Sequence, residues 1–284
     1  QEDEEVLSNP SATLSYAAFS RATEVSVDLS YSALDLEDRE LDDDFDAGDL
    51  TEDGGRRDRI TARVGLVTGR TGFFGTVTEL SYRDDSFSDG AVEDDETFLS
   101  LGTTLRFTLD PRITLRATGF ASQEDTDDAL NTVETIHSYG LGADLLIDRL
   151  WTANIDVGYR EIETETGAVT QIVDGTTAAF LLTREMRNGV FSFSATRDIT
   201  NTGFEDTVRL RRALTLANGA EVDFSLGAVI FEGADPIAIY GASYANEIRP
   251  GMRLRLAFDR SGGVTDDDEN IIRTRLTTDL APNL

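Results

Sequence analysis

Between Glu221 and Glu232 the side chains alternate. Val222, Phe224, Leu226, Ala228 and Ile230 stand against Glu221, Asp223, Ser225 and Gly227. Successive side chains of an extended strand point to opposite faces, so the stretch predicts a strand with one apolar and one polar face. Asn218-Gly219 stands just before it, a dipeptide that favours a type I′ hairpin turn. Before that turn, Val208, Leu210, Leu214 and Leu216 alternate with Thr207, Arg209, Arg211, Ala213 and Thr215. Such a hairpin has two outlets. A soluble sandwich buries the apolar row and wets the polar one, whereas a membrane barrel turns the apolar row to lipid and lines a lumen with the polar one.

The same period recurs along the chain. The expected apolar rows are Val25 to Ala33, Ile60 to Leu66, Phe74 to Tyr82, Leu99 to Leu109, Ile113 to Ala121, Tyr139 to Ile147 and Trp151 to Tyr159. They continue with Ala178 to Met186, Phe191 to Ala195, the opening hairpin, Ala238 to Tyr244, Met252 to Phe258 and a less regular stretch from Ile272 to Leu280. Strand-sized segments separated by turn signals, with no helical period of similar length, predict an all-β chain. Connections alternate in kind. Short turns are expected at 70–72, 110–112, 148–149, 188–189, 218–219 and 249–251. Longer, mostly acidic loops are expected at 35–59, 84–96, 124–135, 163–175, 199–205 and 262–269, with 232–236 a short exception. In an up-and-down meander alternate connections lie at opposite ends, so one end carries turns and the other acidic loops.

Charge narrows the function. The 54 acidic residues outnumber 25 basic ones, for a net charge of −29, and every basic residue is Arg. Nucleic-acid binding depends on neutralising phosphates, and this balance opposes it. With no Cys there is no disulfide and no thiolate site. No apolar run approaches the roughly 18 residues of a membrane helix. Gln1 to Glu5 is acidic, unlike the basic start of a targeting segment, so any such segment is expected to have been removed. The polar rows carry too many charges for a dry sandwich core, where each unpaired charge would cost several kcal/mol.

Sorted loop lengths, two-faced strands and charged polar rows together resemble the Gram-negative outer-membrane β-barrel proteins, porin-like in pattern, from Val25 onward. The resemblance implies an all-β, up-and-down antiparallel transmembrane β-barrel in the outer membrane, in contact with lipid and lipopolysaccharide. Both termini of a single-chain barrel lie on one side, so the strand number is even. About 14 strands are expected from Val25 to Leu280. Ala12, Leu14, Tyr16 and Ala18 also alternate. Residues 1–24 are therefore an acidic extension, a plug or an extra strand, and in the last case a partner upstream would make 16. Residues 25–284 form the barrel.

The lumen-lining candidates are Arg63, Arg106, Arg116, Asp144, Asp156, Arg160, Glu185, Arg209, Arg211, Asp223, Arg253 and Arg255. Arg106 and Arg116 flank one hairpin and are candidates to lie near each other. Arginines facing carboxylates across a lumen set a field that selects solutes. The same pairs, if they cross the lumen, close it. Asp42, Asp44, Asp46 and Asp53 have nearly the offsets of an EF-hand loop, which suits surface Ca2+, although the glycine falls one place late and no helices flank the run. No other cofactor is expected. Barrel enzymes generally use a His base. The only one, His137, stands beside Ser138 in a strand, where neighbours face opposite ways, so no enzyme is expected. The primary expectation is a channel for small polar or charged solutes. The alternatives are a closed barrel that binds a partner protein, and a secreted soluble β-protein with Ca2+-binding loops. Whether the chain forms a homo-oligomer is left open.

Overall fold

A computed structural model describes residues 9–35, 55–70, 72–88, 94–249, 252–261 and 269–278. Its elements are all strands. They are β1 (Ser11–Phe19), β2 (Thr23–Asp35), β3 (Arg56–Thr68), β4 (Phe74–Ser88), β5 (Glu96–Asp110), β6 (Ile113–Thr126), β7 (Thr132–Leu146) and β8 (Trp151–Thr166). There follow β9 (Val169–Met186), β10 (Gly189–Thr200), β11 (Gly203–Thr215), β12 (Glu221–Phe231), β13 (Ile237–Arg249), β14 (Met252–Ser261) and β15 (Glu269–Thr278). All belong to one sheet whose spatial order is the chain order. The fourteen strands β2 to β15 run from Thr23 to Thr278, and β1 pairs antiparallel in front of them, Leu14 opposite Leu29.

Contacts group into two units. The first takes Gln1–Phe107, Ala117–Tyr139 and Glu161–Ile172; the second takes Thr108–Arg116, Gly140–Arg160 and Val173–Leu284. In the first, Tyr16, Val27, Val64, Leu80 and Leu101 form one rung across five strands. The adjacent rung is Ser15, Asp28, Arg63, Ser81 and Ser100. In the second, Leu182, Phe193, Leu210, Leu226 and Tyr240 align, and beside them Ser192, Arg211, Ser225, Gly241 and Asp259. Apolar stays with apolar because a one-residue slip would invert every side chain of a strand.

The apolar rungs do not form a core. Among the described residues the buried hydrophobics are Ala33, Ala153, Ile162, Ile199, Ala220, Ile239 and Ala245, and no large side chain is fully buried. Leu141 is 70% exposed and Leu226 62%. A soluble sandwich hides one face of each sheet against another. Here the apolar face is left bare.

Four expectations about connections are corrected. The acidic stretches 163–175 and 199–205 are mostly strand: β8 runs to Thr166 and β9 starts at Val169, while β10 ends at Thr200 and β11 starts at Gly203. Likewise β4 reaches Ser88 and β5 starts at Glu96, and β6 reaches Thr126 with β7 from Thr132. Regular hydrophobic alternation stops before the strands do, and the hydrogen-bonded ladder continues through mixed, mostly polar residues such as Glu163 to Thr166. The contrast between the ends therefore lies in strand overrun as well as in loop length.

The turn at Asn218-Gly219 is not type I′, which needs positive φ at both central residues. Gly219 has φ +83°, yet Asn131 is the one non-glycine with positive φ among the described residues. The Gly219 amide donates to the Leu216 carbonyl at 2.9 Å, and the Asn218 side chain accepts from the Ala220 amide at 3.1 Å. This is a wider turn closed by a left-handed glycine. Gly189 differs in having no room: a Cβ there would stand 2.0 Å from the Ala213 carbonyl oxygen, whereas one on Gly219 meets nothing within 4 Å. Gly219→Ala is expected to cost about 1 kcal/mol, the left-handed penalty alone. Gly189→Ala is expected to cost more, roughly 2–3 kcal/mol, from strain plus a backbone clash. Urea unfolding in detergent micelles checks the order of the two.

Candidate functional site on the charged face

The polar rungs put arginines and carboxylates next to each other two residues at a time. In the first unit Arg59 on β3 donates to both oxygens of Asp85 on β4, at 2.5 and 2.8 Å. Arg83, two residues before Asp85 on the same face, reaches it at 3.2 Å and also pairs with Glu96 on β5. Asp85 is only 2% exposed. Burying a carboxylate costs solvation, and this fork of donors offsets that cost. The Arg83 guanidinium lies 5.5 Å from the centre of the Phe98 ring. Farther along, Arg63 pairs with Glu79 at 3.1 Å. Arg106 is used differently, donating to the carbonyls of Gly69 and Arg70 at 3.1 Å each, where it ties down the β3–β4 turn.

In the second unit Arg116 on β6 donates to both oxygens of Asp156 on β8 at 2.9 Å and stands 3.2 Å from Asp144 on β7. Asn154 donates to Asp144 at 2.5 Å. Gly142 leaves the space for this bridge, since a Cβ there would lie 2.0 Å from an Asp156 carboxylate oxygen. Arg160 donates to Asp198 at 2.6 Å and to the Ile199 carbonyl at 3.2 Å. Arg211 on β11 donates to Asp223 on β12 at 2.8 Å. Glu185 and Arg209 are exposed on the same polar rungs, opposite Val190 and Ser194. Arg255 is exposed on β14, opposite Ala245.

Arg106 and Arg116 engage different partners, the first a turn and the second two aspartates, so their proximity in sequence does not make a shared site. The side chain of Arg253 and the proposed Ca2+ ligands Asp42, Asp44, Asp46 and Asp53 lie outside the described residues. His137 falls on the face of β7 that bears Tyr139 and Leu141, away from Ser138. Asp85 was missed because 84–96 reads as a loop. The available signal was Arg83-x-Asp85, two opposite charges spaced to share a face.

The apolar face has its own ordered borders, which sequence reasoning also missed. At the end of the short turns, Arg184 lies 5.1 Å from the Trp151 ring centre, and Arg212 donates to Asn188 at 3.2 Å. Phe74 and Phe107 stack with ring centres 5.0 Å apart. At the other end, Tyr31 donates to Asp58 at 2.6 Å and Tyr82 to Asp84 at 2.9 Å. There too Arg197 pairs with Asp206 at 2.5 Å and sits 4.9 Å from the Phe204 ring centre. On β11 the stretch between these borders, Phe204 to Arg212, is about the 9–11 residues a tilted membrane strand requires.

These faces and borders define the all-β, up-and-down antiparallel fold of the outer-membrane β-barrels. Among solved structures, the FrpB iron transporter of Neisseria meningitidis aligns with 88% of this chain and 51% of its own, at a TM-score of 0.63 and 8% identity. The ferric-catecholate import receptor Fiu of E. coli K12 aligns with 94% of this chain and 63% of its own, at 0.53 and 9% identity. This chain therefore spans between half and two thirds of the length of these proteins, and the likeness is one of fold. No family profile matches the chain, and no curated protein matches it.

Asp128 lies in the β6–β7 connection, outside the strands. The Thr132 hydroxyl donates to it at 2.8 Å and the Leu130 and Thr132 amides at 3.0 Å each, which holds its carboxyl below the usual range. A carboxylate lowered in the folded state stabilises above its unfolded value, and the contribution disappears as pH falls through the folded one. The Thr132 amide resonance is therefore expected to titrate with a midpoint below the ordinary Asp value of about 3.9. In Asp128→Asn that titration should vanish.

Proposed function

We propose that the protein is an outer-membrane barrel of a Gram-negative bacterium that passes small polar or charged solutes along its charged face. One observation carries this reading: the apolar face is bare, bounded at both ends by aromatic and charged borders, while the opposite face is built of Arg–carboxylate pairs. Water does not tolerate the first face, and lipid does not tolerate the second. The fold likeness to FrpB and Fiu, an iron transporter and a ferric-catecholate import receptor, supports a role in transport across the outer membrane. Paired arginines and carboxylates give a fixed, wet, polarised surface that distinguishes solutes by charge.

Two measurements test it. Refolded protein in a planar bilayer should give discrete conductance steps. Arg211→Ala should alter ion selectivity, because it frees Asp223. Insertion without conductance would favour a closed, partner-binding barrel instead. For the membrane face, Leu226→Arg should cost about 2–4 kcal/mol of folding stability in lipid vesicles, while Ser225→Arg on the polar face should cost far less. Equal costs would mean that the faces are assigned wrongly.

A further inference from the structure

The apolar face of the second unit carries two arginines within its own rows. The backbone register aligns Arg184, Phe191, Arg212, Phe224 and Ala242 in one rung. Along β9, Arg184 stands between Leu182 and Met186 at the two-residue spacing of one face, and along β11 Arg212 stands so between Leu210 and Leu214. The rungs on either side, from Leu182 to Tyr240 and from Met186 to Tyr244, contain no carboxylate. Among the described residues neither arginine makes an ion pair. Arg212 donates to Asn188 at 3.2 Å, and Arg184 lies 5.1 Å from the centre of the Trp151 ring.

The opposite border of the same face is arranged differently. There Arg197 forks onto Asp206, with Nε at 2.7 Å and Nη2 at 2.5 Å. At the turn end the acids are directed elsewhere. Glu185 follows Arg184 in the strand and so stands on the other face. Asp148 accepts the Leu150 and Trp151 amides at 2.7 and 2.9 Å. The turns after β7 and β9 add Arg149 and Arg187, both exposed. One border of the apolar face thus carries paired charge, and the other carries an excess of positive charge, in a chain with more than twice as many acids as arginines.

An arginine in a lipid-facing row is costly unless its long stem carries the charge to the boundary, where an anion can meet it. Arg184 and Arg212 flank Phe191, so their backbones are roughly 10 Å apart and their side chains can converge over that ring. A guanidinium gives phosphate oxygens paired donors in a fixed fork. We propose that Arg184 and Arg212 bind the phosphate of an anionic phospholipid in the leaflet at the short-turn end, with its acyl chains along Leu182, Phe193 and Leu210. A headgroup with its own ammonium brings another cation to a patch already positive, so a phospholipid of the phosphatidylglycerol type fits and a zwitterionic one fits poorly. The proposal rests on the reading of the apolar face as the one that meets lipid; it does not rest on the channel.

Trp151 is the only tryptophan of the chain and lies against Arg184, so its fluorescence reports on the site. The protein is refolded into phosphatidylcholine vesicles containing increasing fractions of phosphatidylglycerol with brominated acyl chains or, separately, of brominated phosphatidylcholine. Bromine quenches a tryptophan that it touches. Both lipids should quench Trp151, with about a tenfold preference for phosphatidylglycerol, the size of a charge-assisted contact. Arg212→Gln should bring the preference close to one while the Arg184–Trp151 contact stays in place. Arg184→Gln should do the same, because the ratio of the two lipids cancels any change at Trp151 itself. Arg197→Gln, at the paired border, should keep the parental preference. Circular dichroism confirms that each variant keeps its strands. Equal affinity of the two lipids in the parent, or a preference that survives in either folded variant, would overturn the proposal. Loss of the preference on adding inorganic phosphate would overturn it too, since the arginines would then take the free ion. Quenching by neither lipid refutes the lipid-facing reading itself, whereas quenching without preference refutes this site alone.

Discussion

The other features of this protein depend on one constraint, that a strand has two faces and that, among the described residues, the apolar face of this sheet is left exposed. The rung of Leu182, Phe193, Leu210, Leu226 and Tyr240 is as apolar as a sandwich core, but no sheet packs on it. Its stabilisation has to come from a surrounding apolar medium and from the backbone ladder. An extended ladder satisfies its own amides and carbonyls, which is what permits strands to cross a bilayer at all. The borders mark where that medium ends. Trp151 under Arg184 and Phe204 beside Arg197 are amphipathic pairs of the kind that settle at a lipid–water boundary.

The charged face obeys the complementary rule. Arginine remains charged in any environment the protein offers, and its fork of donors binds two carboxylate oxygens at once. Asp85 between Arg59 and Arg83, and Arg116 between Asp144 and Asp156, show both versions, one acid shared by two bases and one base shared by two acids. These shared arrangements fix neighbouring strands to each other on the side where hydrophobic packing is absent. They also leave a patterned field of paired charges along that face.

Much of the architecture was legible in residue order. Alternation from Val25 onward gave the strand type, the faces and the register of turns, and the row Phe74, Thr76, Thr78, Leu80, Tyr82 holds in β4 despite its interrupting threonines. Strand ends were not legible, because the signal used was hydrophobic alternation and the ladder outlasts it, as Glu163 to Thr166 and Val169 to Gly175 show. The turn at Asn218-Gly219 was placed correctly but given the wrong conformation, since the side chain of Asn218 bonds the Ala220 amide and keeps its own φ negative.

The sequence by itself determined that each strand has an apolar and a charged side, because period two is a property of the extended backbone and needs no tertiary contact. It also determined that the charged side would be held by arginine. Only the tertiary structure decided which arginine meets which acid. Arg116 and Asp156 are forty residues apart and touch, while Arg106 bonds the carbonyls of Gly69 and Arg70. Partner choice follows from the stagger between strands and from local space, such as the missing Cβ of Gly142. Neither quantity is written in the order of residues along a single strand.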